Sequence, residues 1–131
     1  MANTMQFDLV SPEKRLASLE AVQVEIPAAE GDMTAMAEHA PVITTLRPGL
    51  VTVTGADGQE TRFAVTGGFA EINARAVSLL AEHATADFSD RTLFQSHLED
   101  ARARAARASG EDRDVADKLV ADMVQLLDAM A

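Results

Sequence analysis

Three histidines, one pair of adjacent glycines and 21 acidic side chains are the groups in this 131-residue chain that could do chemistry. Catalysis or metal binding needs such groups to converge on one point. His39, His83 and His97 show no local metal-ligand spacing, and with no cysteine both a thiolate metal site and a disulfide framework are excluded. Glu82 stands beside His83, yet no carboxylate is set in an apolar stretch that would raise its pKa for proton transfer. Gly67-Gly68 could cradle an anion through backbone N–H groups, but in a β-rich stretch it reads first as a bulge or a close backbone approach. No Walker loop, GxGxxG, HExxH, zinc ribbon or GxSxG pattern occurs. The reading is a non-catalytic binding protein, with no catalytic residue, metal, nucleotide site or cofactor. His39 is set apart, because Glu38-His39-Ala40-Pro41 lies between a turn and a strand, where exposed residues make contacts.

Composition narrows the partners. Eleven basic against 21 acidic residues leave a net charge of −10, which argues against nucleic acid and anionic membrane. All five aromatics are phenylalanine, so stacking on bases is nearly excluded and the core must be aliphatic. Residues 1–8 lack the basic and apolar segments of a signal peptide, and no apolar run approaches the ~20 residues a bilayer span needs. Membrane association is therefore expected to be indirect, and the partners to be proteins.

Two hydrophobic periods divide the chain near Asp87. Up to residue 87, short alternating runs are separated by turn signals. Met5, Phe7 and Leu9 alternate before Ser11-Pro12-Glu13-Lys14; Val22, Val24 and Ile26 alternate before a turn at Ala29-Glu30-Gly31-Asp32. Residues 42–46 run to Arg47-Pro48-Gly49, and Val51 and Val53 lead to Asp57-Gly58, a hairpin signal because both tolerate positive φ. Phe63 and Val65, then 69–72, then 77–81 complete a predicted sandwich or flattened barrel of about ten short strands, over residues 1–87.

Residues 88–131 follow a helical period. Ser89 is the expected N-cap of a helix over about 90–108, faced by Leu93/Phe94, Leu98, Ala101, Ala105 and Ala108. Ser109-Gly110 is the expected stop. A second helix from about 112 places Val115, Leu119, Val120, Met123, Leu126, Leu127 and Met130 on one face. So short a break predicts an antiparallel two-helix hairpin. Alanines bury little area each, so the hairpin should be weakly held and able to move or extend.

The strings placed on these elements carry a resemblance. Val10-Ser11-Pro12-Glu13, Ile26-Pro27-Ala28-Ala29-Glu30-Gly31-Asp32-Met33, and His39-Ala40-Pro41-Val42-Ile43-Thr44-Thr45-Leu46-Arg47-Pro48-Gly49 resemble the ε subunit of bacterial F-type ATP synthases. So do Phe63-Ala64-Val65-Thr66-Gly67-Gly68-Phe69-Ala70-Glu71-Ile72 and Leu79-Leu80-Ala81-Glu82, in collinear order over essentially the whole chain. The resemblance implies a rotor subunit whose sandwich binds the γ subunit and the polar loops of the c-ring. It implies a peripheral position on the cytoplasmic side of the bacterial plasma membrane. It implies a hairpin that either folds back or extends toward the α/β catalytic head to restrain hydrolysis. It puts Gly31, Asp32 and Met33 against the c-ring, and His39 and Thr44 against γ. For Gly31, Pro41, Pro48 and Gly49, simple turn chemistry is the preferred explanation, and for Asp32 a solvated turn is an equal rival.

Three departures qualify that picture. Ala37-Glu38 precede His39, where the family often has glycine or proline. Nucleotide-binding members carry Ile/Leu-Asp-x-x-Arg-Ala at the start of the first helix, whereas Phe88-Ser89-Asp90-Arg91-Thr92-Leu93 stands here. Arg91, one residue early, would be rotated by ~100° from the matching face, so no useful ATP binding is expected. After Gly110 the tail carries six acidic residues against Arg113 and Lys118, while the basic residues cluster earlier at Arg102, Arg104 and Arg107. Approach to an acidic target would be repulsive, so inhibition should be weak. A nucleotide-sensing inhibitor of the same complex and an unrelated β-sandwich binder remain the alternative readings.

Overall fold

The computed structural model describes residues 3–131; Met1 and Ala2, part of the N-terminal stretch read above for a signal peptide, lie outside the described residues. The chain divides into two units, one ending at Ala86 and one spanning Asp87–Ala131.

The first unit is built from nine strands: β1 (Met5–Val10), β2 (Arg15–Ala28), β3 (Gly31–Met36), β4 (Val42–Leu46), β5 (Gly49–Gly55), β6 (Glu60–Val65), β7 (Gly68–Ile72), β8 (Ala76–Ala81) and β9 (Ala84–Thr85). The 14-residue β2 belongs to both layers of the sandwich. Its first half pairs with β1, which continues through β8 and β7 to β4; its second half pairs with β3 on one side and with β5, β6 and β9 on the other. A single Ala28↔Leu46 pairing joins β2 to β4 and closes the flattened barrel.

The change of layer is made by a bulge. The β2–β5 register shifts between Ala21 and Gln23, so one extra residue is accommodated at Val22. Ala21 and Val24 are therefore buried while Val22 is only half-buried, which breaks the expected Val22-Val24-Ile26 alternation at its first member. The two layers meet over one core, in which the Phe7 and Phe63 rings stack at 6.4 Å among Leu9, Ile26, Ile72 and Leu79.

Turn chemistry fixes the ends of the strands. At the β5–β6 hairpin only Gly58 takes the left-handed conformation (φ 82°); Asp57 instead accepts the Gln59 N–H at Oδ1, 3.0 Å away. Asn73 Oδ1 accepts the N–H groups of both Arg75 and Ala76 between β7 and β8. Gly68 has φ 130°, and a Cβ there would lie 1.9 Å from the Leu80 carbonyl oxygen, so β7 can approach β8 only with glycine at this position. The Gly67-Gly68 pair is the close backbone approach, and the Glu82 carboxylate lying over Gly67 makes it a poor anion cradle.

The second unit is a helical hairpin of α1 (Thr92–Arg107) and α2 (Gly110–Met130), which pack on each other. Its boundaries differ from those expected. Ser89 does not cap α1: its hydroxyl and its N–H both go to Asp87 Oδ1, and the helix starts after Arg91 without a side-chain cap. Those two bonds hold the Asp87 carboxyl below the usual aspartate range. Gly110 does take a positive φ (61°), but it opens α2 after two extended residues rather than closing α1. Val115 is 72% exposed; Ala116 takes the buried position, and the buried set Ala116, Met123, Leu126 and Met130 follows a seven-residue repeat.

Candidate interaction surface

The five residues singled out in the sequence fall in three places. Gly31, Asp32 and Met33 are not turn residues: Ala29-Glu30 alone makes a two-residue turn, and all three belong to β3, paired with Ala28, Pro27 and Ile26. The strand extends to Met36, so it accounts for a segment in which no strand was expected. Among the described residues β3 pairs with β2 alone, so it is an edge strand. Asp32 is 78% exposed, and its Oδ1 accepts a hydrogen bond from Arg47 Nη2 in an ion pair.

His39 lies half-buried between β3 and β4. Its Nδ1 is 2.6 Å from the Ala40 carbonyl oxygen, which can only accept, so Nδ1 is the donor in this bond. The preceding Glu38 has φ 72°, so a side chain here holds a left-handed backbone that glycine would adopt without strain. Thr44 pairs with the buried Ala70 of β7 and shares the inward row with Val42 and Leu46, so it is half-buried. Strand pairing does not bring Thr44 beside Asp32: β3 pairs with β2 alone among the described residues, and β4 meets β2 only at Ala28↔Leu46.

An apolar surface lies on the opposite parity of the same strands. Ile43 is 76% exposed, Phe69 55% and Leu80 58%. Register aligns Phe69 with Leu80 across β7 and β8, and Leu80 with Val10 of β1, making a row across three strands. Beside it a groove of about 340 Å³ is lined by Val10, Pro12, Phe69, Leu80 and Glu82. Large side chains exposed on a sheet face whose other side is already the core mark a surface that expects cover. The sequence did hold a signal for them: Ala70 and Ile72 share one parity of 69–72, leaving Phe69 on the other.

Among the described residues no three acidic or histidine side chains are grouped to hold a metal ion. In the hairpin, Arg104, Arg107 and Asp112 line a groove of about 410 Å³ together with Val115, Ala116 and Leu119. Arg91, the displaced candidate for the nucleotide motif, precedes the first turn of α1.

Known proteins supply the family. The sequence model described as "ATP synthase, Delta/Epsilon chain, beta-sandwich domain" matches residues 4–87. The chain is 51% identical over 127 residues to the ATP synthase epsilon chain 1 of Cereibacter sphaeroides, covering 96% of each. It is 53% identical over 129 residues to the ATP synthase epsilon chain of Paracoccus denitrificans, covering 97% of this chain and 86% of that one. The chain belongs to the ATP synthase epsilon chain family. The family is a non-catalytic subunit of its complex. The fold also matches a chain of the Euglena gracilis mitochondrial ATP synthase, solved as an OSCP/F1/c-ring assembly (TM-score 0.71, 22% identity, 96% of this chain and 80% of that one). A chain of the Tetrahymena thermophila mitochondrial ATP synthase central stalk and c-ring matches with a TM-score of 0.69 at 16% identity, covering 98% of each.

Proposed function

We propose that this chain is a central-stalk rotor subunit of a proton-translocating ATP synthase, and that its sandwich couples γ to the c-ring during proton-driven ATP synthesis. The observation that carries this is the exposed apolar face made by the Phe69–Leu80–Val10 row, with Ile43 on the same side of β4 two residues from the row, on a sheet whose reverse side is the core. An interface of this kind draws its stability from a desolvated apolar centre with a polar rim, and Glu71 and Glu82 supply part of that rim. We assign this face to γ and the β2–β3 hairpin with Gly31, Asp32 and Met33 to the c-ring loops; His39 and Thr44 stay with γ on the resemblance alone, since Thr44 lies on the inward row of β4 and not on this face. No helix of the described residues is long and apolar enough to cross a membrane, which suits a peripheral subunit on the cytoplasmic side of the bacterial plasma membrane.

The hairpin is a weak brake in this reading. Its acidic second helix would be repelled by an acidic target in the α/β head, and Ser89, Thr92 and Leu93 replace the nucleotide motif. The test of the coupling role is the doubly substituted chain Phe69→Asp, Leu80→Asp, added to complexes depleted of this subunit. Both positions are more than half exposed, so the variant should fold. It should no longer co-purify with γ and should fail to restore synthesis; unchanged co-purification would remove this face from the interface.

A further inference from the structure

We propose that Arg47 is the positioning residue of the Asp32 contact; the inference rests on the reading of Asp32 as a contact to the c-ring loops. Asp32 is 78% exposed, and strand pairing with Pro27 fixes its backbone but leaves its carboxylate to choose among rotamers. Docking an unfixed side chain requires that freedom to be given up at the moment of binding. Arg47 removes it beforehand.

Arg47 follows β4, a strand otherwise joined to β2 by one residue pair, and its side chain is only 21% exposed. Its backbone N–H donates to the Pro27 carbonyl at 2.9 Å, Nη1 donates to the Ala28 carbonyl, and Nη2 donates to Asp32 Oδ1. Three bonds from one residue therefore land on one hairpin, two of them on backbone. The anchorage continues through Gly49, where a Cβ would lie 2.7 Å from the Pro27 ring, so the turn after β4 sits hard against β2. A planar guanidinium can span the Ala28 carbonyl and the carboxylate together, whereas an ammonium is a single point of charge.

The arrangement also defines what the contact recognises. Oδ1 is occupied, and among the described residues no donor reaches Oδ2, so Asp32 presents one fixed acceptor. Because Arg47 already offsets the charge, the complementary group on the loop is a hydrogen-bond donor, N–H or O–H, and need not be a cation.

A double-mutant cycle tests this. Full-length chains carrying Arg47→Met, Arg47→Lys, Asp32→Asn or Arg47→Met with Asp32→Asn are titrated onto solubilised ATP synthase depleted of the subunit, alongside thermal unfolding of each free chain. Asp32→Asn and Arg47→Met should each weaken attachment by about three- to fivefold, and Arg47→Lys should behave as Arg47→Met. In the Asp32→Asn background, Arg47→Met should cost nothing further. An equal loss in both backgrounds would make Arg47 a structural brace only, and no loss for Arg47→Met beside a loss for Asp32→Asn would overturn the inference alone. Full attachment of the Asp32→Asn chain would instead overturn the c-ring reading on which it rests.

Discussion

The sandwich and the hairpin differ in what they bury. In the sandwich, side chains from eight of the nine strands meet in one continuous core that includes two stacked phenylalanine rings. In the hairpin seven residues are buried, and Ala101, Ala105 and Ala116 are three of them. At ~25 cal/mol per Å² an alanine methyl contributes a small fraction of what a leucine or phenylalanine does. By that difference the sandwich should be the more firmly held of the two units, and the hairpin the less.

The sharpest way to break the comparison is at Gly68. Gly68→Ala forces a Cβ into the Leu80 carbonyl at a positive φ, and should destabilise the sandwich by about 4 kcal/mol. Phe7→Ala should cost about 3–4 kcal/mol, against about 1 kcal/mol for Ala105→Gly in the hairpin, both read from denaturant unfolding. A comparable cost for the two would erase the distinction. Amide exchange should follow the same order, with hairpin amides exchanging at least ~10-fold faster than those of β2 and β5; uniform high protection would contradict it.

Smaller effects sharpen the local account. Glu38→Gly should stabilise the sandwich by about 0.5–1 kcal/mol, because glycine adopts the positive φ there without strain. At the entry to the hairpin, the lowered Asp87 pKa means its bonds to Ser89 add stability above the unfolded aspartate value. That stability is lost as pH falls through the lower folded value. Ser89→Ala removes the hydroxyl bond and keeps the N–H bond. It should therefore weaken this acid-side dependence and leave the unfolding profile flatter below pH 4; an unchanged profile would show that the hydroxyl bond does not contribute.

Period and turn residues made most of the fold legible. Alternation and turn residues located β1, the second half of β2 and β4 to β8, and the three- and four-residue spacing located both helices; the first half of β2, β3 and β9 were not expected. What stayed hidden has identifiable causes. Residues 31–36 lack a β-branched run, so β3 was absorbed into a turn; only pairing with β2 makes it a strand. The bulge at Val22 cannot be seen from one strand, since it is a property of a register between two. Ser89 has the chemistry of a cap, but Asp87 two residues earlier takes its hydroxyl. Of the site, Asp32 and His39 were visible through the strings around them. The Arg47–Asp32 pair was not, because it joins residues 15 apart through the closure of the barrel. The exposed row was half visible: parity tells Phe69 from Ala70, but which parity faces the core is settled only by the second layer.

The most direct test of the account is to deplete an ATP synthase of this subunit and add back either the full chain or residues 1–87, measuring proton-driven synthesis and ATP hydrolysis. The sandwich alone should restore synthesis as well as the full chain does, with hydrolysis differing by less than about twofold. Failure of residues 1–87 to restore synthesis, or a several-fold rise in hydrolysis when the hairpin is missing, would contradict it.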